Sequence, residues 1–119
     1  MSEGIVRDKS KKFALRVVRL YSHLNNTKRE FVISKQLLRC GTSVGANIRE
    51  AEHAMSKREF IAKMNISLKE AAESEYWLEL LHESGYISKN EFKSLISDCG
   101  EVKGLLISII KTANNNLIK

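Results

Sequence analysis

The chain has no proline in 119 residues, only two cysteines and one tryptophan, and just 7% aromatic residues. Each scarcity excludes something. Without proline, helices can run long with no built-in break. Cys40 and Cys99 are too far apart for zinc-ligand or redox spacing, so the expectation is two buried thiols in a reducing cytoplasm. The longest apolar runs, such as Gly104-Leu-Leu-Ile-Ser-Ile-Ile110, are far too short to span a bilayer. The basic N-terminal stretch is not followed by the apolar segment of a signal peptide, so a cytoplasmic location and no membrane partner are expected. Neither a glycine-rich phosphate loop nor a nucleophile–base pair occurs.

What is present is helical. With 43% apolar residues the chain can bury one core, and residues 1–119 read as a single domain. Three Ser/Thr-x-x-Glu pairs mark helix starts: Thr27 with Glu30, Ser56 with Glu59, and Ser88 with Glu91. Met55 against Phe60 and Ile87 against Phe92 add hydrophobic staples, and Gly85 with Tyr86 reads as a left-handed C-terminal cap. Apolar residues recur at three-and-four spacing over about 8–25 (Phe13, Val17, Leu20, Tyr21, Leu24) and 28–55 (Ile33, Leu37, Cys40, Val44, Ile48, Ala51). The same spacing continues over 57–84 (Phe60, Met64, Leu68, Ala71, Leu78, Leu81) and 89–115 (Phe92, Ile96, Cys99, Leu106, Ile110, Ala113). Nothing alternates like a strand. Short connections make neighbours antiparallel, so the fold class is all-α, an antiparallel up-down-up-down four-helix bundle.

Charge is unevenly distributed. Residues 1–49 hold 11 Lys/Arg against 3 Asp/Glu, a balance of +8, and residues 50–85 hold 4 against 8, a balance of −4. Such asymmetry fits a polyanion partner, or a basic face meeting the acidic face of another copy. On the first helix Lys9, Lys12, Arg16 and Arg19 form a row at steps of three, four and three, extended by His23. Lys11, Lys28, Lys35 and Arg39 can add to that surface. A row of this kind tracks phosphates, though any surface helix carries charge opposite its core stripe. No aromatic residues interleave with it, so contact with nucleic acid would be backbone-directed.

Two glycine pairs at spacing four, Gly41 with Gly45 and Gly100 with Gly104, interrupt otherwise good helices at a cost of about 1 kcal/mol each relative to alanine. Glycine at this spacing flattens a helix face for close packing, either inside the bundle or against another subunit. Beside the core stripe of the second helix runs a polar row, Gln36, Arg39, Ser43, Asn47 and Glu50, and the third helix carries Ile66, Glu70, Glu73, Trp77 and Leu80. Both are either solvated edges or a hydrogen-bonded seam, with Arg39 against Glu70 or Glu73, within the fold or between subunits.

The stretch Gln36-Leu-Leu-Arg39 and Thr42-Ser43-Val44-Gly45-Ala46-Asn47-Ile48 with Glu50 resembles the signature of the four helix bundle protein family, encoded in intervening sequences of 23S ribosomal RNA genes. Lys9-Ser10, Phe13-Ala14, Ser56, Phe60-Ile61, Lys63, Lys69-Glu70-Ala71, Glu73, Tyr76-Trp77-Leu78 and Leu80-Leu81 extend the resemblance over about residues 5–111. It implies an antiparallel bundle assembling into a homopentameric ring. It is also similar to accessory proteins of diversity-generating retroelements, which pair a basic pentameric ring with nucleic acid and a reverse transcriptase. The family has no established catalytic activity.

Two enzyme readings fail on placement. Glu50 with His53 and Glu79 with His82 imitate a di-iron bundle motif, but a helix over 57–84 is about 40 Å long and holds the two motifs at opposite ends. Arg16-x6-His23 loosely fits a helical ribonuclease pattern, yet it lies among Val17, Val18 and Leu20. The sequence thus points to a non-enzyme without metal or cofactor. The expected partners are other copies of itself, RNA or DNA, or a second protein in a scaffold role.

Overall fold

The computed structural model describes residues 2–118. Four helices account for nearly all of them: α1 (Ser2–Asn26), α2 (Ile33–Glu52), α3 (Lys57–Glu83) and α4 (Lys89–Ile118). Among the described residues there is no strand. α1 packs on α2 and α4, and α3 packs on α2 and α4, so the four stand in a square around one core in a body of 51 × 22 × 20 Å. Asn25 meets Ser34 and Arg7 meets Glu52; Ser67 meets Val44 and Lys63 meets Glu50. In both pairs of helices, residue numbers fall in one helix as they rise in the next. No helix of the described residues is long and apolar enough to cross a membrane.

The expected core stripes are largely the observed ones, with Phe13, Val17, Leu24, Leu37, Cys40, Val44, Ile48, Met64, Ala71, Leu78, Leu81, Cys99 and Leu106 all buried. Tyr21 is only partly buried. α1 begins a turn and a half earlier than its apolar pattern predicts. Val6 extends the stripe upstream through Ser10, a polar residue that is nevertheless buried and whose hydroxyl donates to the Arg7 carbonyl at 2.9 Å. Ser10 satisfies itself within its own helix, so it can occupy a core position at little cost.

The α1–α2 connection departs from the expected capping box. Arg29 takes a left-handed φ of +58°, which breaks the helix, and α2 starts at Ile33 rather than near Lys28. Thr27 does not cap anything there: its amide still donates to His23 as part of the α1 terminus. Glu30 does the capping instead. Its buried carboxylate accepts from the amides of Val32 (3.1 Å), Ile33 (2.9 Å) and Ser34 (2.7 Å), three of the donors that a helix start leaves unpaired. Burial pushes this carboxyl up, but the hydrogen bonds from Ile33, Ser34 and Val32 outweigh it and hold Glu30 below its ordinary value of 4.5.

The other two caps form. Ser56 and Ser88 accept from the amides of Glu59 and Glu91, each at 3.1 Å. Glu59 reaches back one residue further than a standard box, to the Met55 amide at 2.7 Å. The Met55 staple does not form, because that side chain is 92% exposed, whereas Ile87 is buried and Phe92 packs on the core. Gly85 has φ +84°, with its own amide bonded to His82 and the Tyr86 amide to Leu81, which is a Schellman closure of α3.

The glycines divide into two kinds. A Cβ on Gly41 would stand 3.0 Å from both Val17 methyls, and one on Gly45 would stand 3.3 Å from Ser10 Oγ, so this pair lets α1 and α2 approach inside the bundle. Gly100 and Gly104 do not pack inside the bundle as the first pair does: nothing in the described chain lies within 4 Å of where their Cβ atoms would be.

Gly104→Ala should raise stability by about 0.5–1 kcal/mol, because helix propensity improves and nothing clashes. Gly41→Leu should lower it by at least about 1–3 kcal/mol through overpacking against Val17; denaturant melts compare the two. Glu30→Gln should cost about 1–3 kcal/mol near neutral pH. Since the folded-state carboxyl sits below its unfolded value, its contribution is present above about pH 4.5 and is lost as pH falls through the lowered value. Melts from pH 7 to pH 3 should therefore show a shallower acid loss in the variant than in the parent chain.

Candidate nucleic-acid interface and polar seam

The row on α1 is placed by helical spacing along the edge that faces α4. Lys9, Lys12, Arg16 and Arg19 line one groove of about 210 Å³ together with Asp98 and Glu101. Arg16 Nη1 donates to Asp98 Oδ2 at 2.7 Å and to Ser94 Oγ at 2.9 Å, and Lys9 Nζ lies 3.0 Å from Glu101 Oε2. Further along, Arg16, Arg19 and His23 share a second groove with Glu91. The structure thus brings the four row residues together but gives two of them carboxylate partners. Lys12 and Arg19 remain exposed and without an ion pair among the described residues. Lys35 is also exposed, on α2 and outside this groove.

Those carboxylates are the part that sequence reasoning missed. Glu91, Ser94, Asp98 and Glu101 recur on α4 at steps of three, four and three, the same steps as the basic row. Matching the two rows across an antiparallel pair would have signalled that they face each other.

The polar row of α2 lies against α3. The Arg39 guanidinium bridges Glu70, 3.4 Å away, and Glu73, to which it also donates. Glu73 Oε2 in turn accepts from Trp77 Nε1 at 2.9 Å, and the Trp77 ring meets Tyr76 edge-on at 5.0 Å between centroids. Hydrogen bonding from Trp77, then from Arg39, holds the Glu73 carboxyl below its ordinary range despite partial desolvation. The same pair raises Arg39 above its usual value. At the other end of the row Glu50 pairs with Lys63 at 2.8 Å.

Between these ends the row turns inward on its own helix. Ser43 donates to the Arg39 carbonyl at 2.7 Å and Asn47 donates to the Ser43 carbonyl at 2.8 Å. Gln36 is exposed. Arg39, Glu70, Glu73 and Trp77 are therefore joined within one chain and Glu50 pairs separately with Lys63, while Ser43 and Asn47 make local bonds and Gly41 and Gly45 face α1 rather than α3.

Deeper in the α2–α3 contact, Ser67 donates to the Val44 carbonyl at 2.7 Å and Ser74 lies 3.2 Å from Cys40 Sγ. Cys40 and Cys99 are fully buried and unpaired; burial raises both thiols, Cys99 to about 12. Glu50–His53 lies at the end of α2 and His82 in the last turn of α3. Among the described residues no group of three or more His, Cys, Asp and Glu gathers in a way that could hold a metal ion.

Arg39 and Glu73 are 50% and 36% exposed, which limits what their pairing adds. A double-mutant cycle of Arg39→Ala and Glu73→Gln should give a coupling of about 0.5–1 kcal/mol, measured by urea unfolding. A coupling near zero would show that the pair does not act within the chain.

Against known proteins, residues 2–108 match the family model described as 23S rRNA-intervening sequence protein. A crystal structure of a protein of unknown function from the S23 ribosomal protein family, from Bacteroides thetaiotaomicron VPI-5482, is 57% identical and superposes with a TM-score of 0.92. The match covers 93% of this chain and 99% of that one. No curated protein matches the chain.

Proposed function

The chain belongs to the 23S rRNA-intervening sequence protein family, and from that membership we propose that it is a non-catalytic RNA-binding protein acting as a homo-oligomeric ring, a pentamer of up-down-up-down bundles. The observation that carries the reading is the surplus of exposed cations without ion pairs in the basic half of the chain. Lys12 and Arg19 on α1 and Lys35 on α2 are all exposed, and none has a carboxylate within ion-pair distance among the described residues. Cations left free in this way can neutralise phosphates and release counterions, whereas Lys9 and Arg16 must first leave Glu101 and Asp98.

The ring reading draws support from α3. Ile66 and Tyr76 are 41% and 52% exposed, and Trp77 and Leu80 are partly exposed beside them. Large apolar side chains thus reach the surface of α3 in a row that also carries Glu70 and Glu73, a mixed face that a neighbouring subunit can cover. Several modest patches held in one ring would act together through effective concentration. The two buried, free thiols suit a reducing cytoplasm.

A second reading has its own observation in its favour. The Lys9–Glu101 and Arg16–Asp98 pairs satisfy half of the α1 row internally, which suits a protein-interaction scaffold with no nucleic-acid role, its basic half meeting the acidic half of a neighbour. The two readings separate in one experiment. Fluorescence anisotropy of the nucleic-acid-free protein with a structured RNA should show affinity falling steeply with salt, and Lys12→Glu with Arg19→Glu should weaken binding at least tenfold while the oligomer mass stays unchanged. Loss of the oligomer in that variant, with no RNA binding by the parent chain at low salt, would establish the scaffold instead.

A further inference from the structure

Resting on the RNA-binding reading, we propose that the principal phosphate-binding site is not the α1–α4 row but a separate groove on the opposite side of α1, between α1 and α2. This groove, of about 270 Å³, is lined by Arg7, Ser10, Lys11, Ala14, Thr42, Gly45, Ala46 and Arg49. Its charge differs in kind from that of the α1–α4 groove. There, Asp98 and Glu101 form part of the wall; here no carboxylate lines the groove, and three cations do. Lys11 and Arg49 are exposed and without an ion pair among the described residues. Arg7 is only loosely held, 3.7 Å from Asp8 and 3.7 Å from Glu52.

The shape of the groove follows from the same small residues that bring α1 and α2 together. Ala14, Gly45 and Ala46 supply little side chain, so the groove stays open between its basic walls. Gly45 lies against Ser10, whose hydroxyl is already bonded to the Arg7 carbonyl, and the Thr42 hydroxyl is bonded to the Leu38 carbonyl at 2.7 Å. The floor is therefore small and internally satisfied, and recognition falls to the cationic walls.

Two arginines and a lysine around a narrow groove suit tetrahedral phosphate oxygens, which guanidinium groups can grip in a bidentate fashion. No aromatic residue lines the groove, so bases have nothing to stack on. The ligand class is the sugar–phosphate backbone of RNA, read without sequence preference. The α1–α4 row then acts as a secondary surface: Lys12 and Arg19 add long-range attraction from the far edge of α1, and Lys9 and Arg16 serve mainly to hold α4.

The test uses the full chain and a structured RNA in the anisotropy salt series, with Lys11→Gln plus Arg49→Gln as one variant and Ala46→Glu as another. Ala46 is exposed, so the added carboxylate enters the groove without disturbing the core. Both variants should keep the parental melting temperature and oligomer mass and lose at least tenfold in affinity. The charge-removal variant should also flatten the slope of log affinity against log salt by at least about 1.8, the loss expected for two phosphate contacts at about 0.9 each. Parental affinity and slope in both variants, with the parent chain binding RNA, would overturn the groove assignment and leave RNA binding in place. No binding by the parent chain would overturn the RNA reading and the groove with it. Poly-glutamate binding as tightly as RNA, with the same loss in both variants, would reassign the groove to an acidic protein partner and overturn the proposal.

Discussion

The close approach of α1 to α2 at Gly41 is the constraint on which much of the rest depends. With Val17 methyls only 3.0 Å from where a Cβ would stand, a larger residue fits only if the Val17 side chain or its helix gives way. That contact sets the spacing of the first two helices, and Ser10 opposite Gly45 continues it toward the α1 N-terminus. On its other side α2 meets α3 through Val44, Cys40, Ser67 and Ser74, where serine hydroxyls reach the partner helix's backbone carbonyl or thiol. α2 is thus hemmed in on two sides by small residues. Helix propensity lost at two glycines is offset by packing that larger residues would prevent.

The same spacing determines what the outer surface can do. Where α1 and α2 come close, the residues just outside the contact are Ala14, Ala46, Lys11 and Arg49, so the seam opens to solvent as a narrow basic groove. Where α1 meets α4, no glycine intervenes, and longer side chains fill the edge: Arg16 with Asp98 and Ser94, and Lys9 with Glu101. Both sides of α1 carry a groove, but carboxylates pair with the cations of one and none lines the other. One helix therefore carries two basic edges with different availability, although their sequence composition is similar.

Much of the fold was legible because helix starts and core stripes are local signals. The Ser56 and Ser88 caps, the Gly85 closure and most core positions follow from residues within a turn or two of each other. Departures came where a residue's role depends on something further away or on backbone geometry. Glu30 was read as the far member of a box begun by Thr27, but the left-handed Arg29 moves the helix start downstream and makes the glutamate itself the cap. Val6 was missed because buried Ser10 interrupts the apolar pattern, and only the Gly45 contact explains why a serine belongs there. The two glycine pairs look alike in sequence and differ in the structure because one faces another helix and the other faces open space.

The candidate site was less legible for a reason that concerns electrostatics generally. A row of cations on one helix states its charge but not its availability, and availability depends on which residues the packing places opposite. Net charge counts Lys9 and Arg16 equally with Lys11 and Arg49, yet the first two would have to give up carboxylates before meeting a phosphate. That exchange replaces one exposed ion pair with another and returns little, since such pairs are worth about 0–1 kcal/mol and are screened by salt. Unpaired cations lining a narrow groove give up nothing comparable, and each releases a counterion from the polyanion it meets. The position of the acidic residues on α4, more than the number of basic residues on α1, therefore decides which of the chain's cations are free to meet a polyanion.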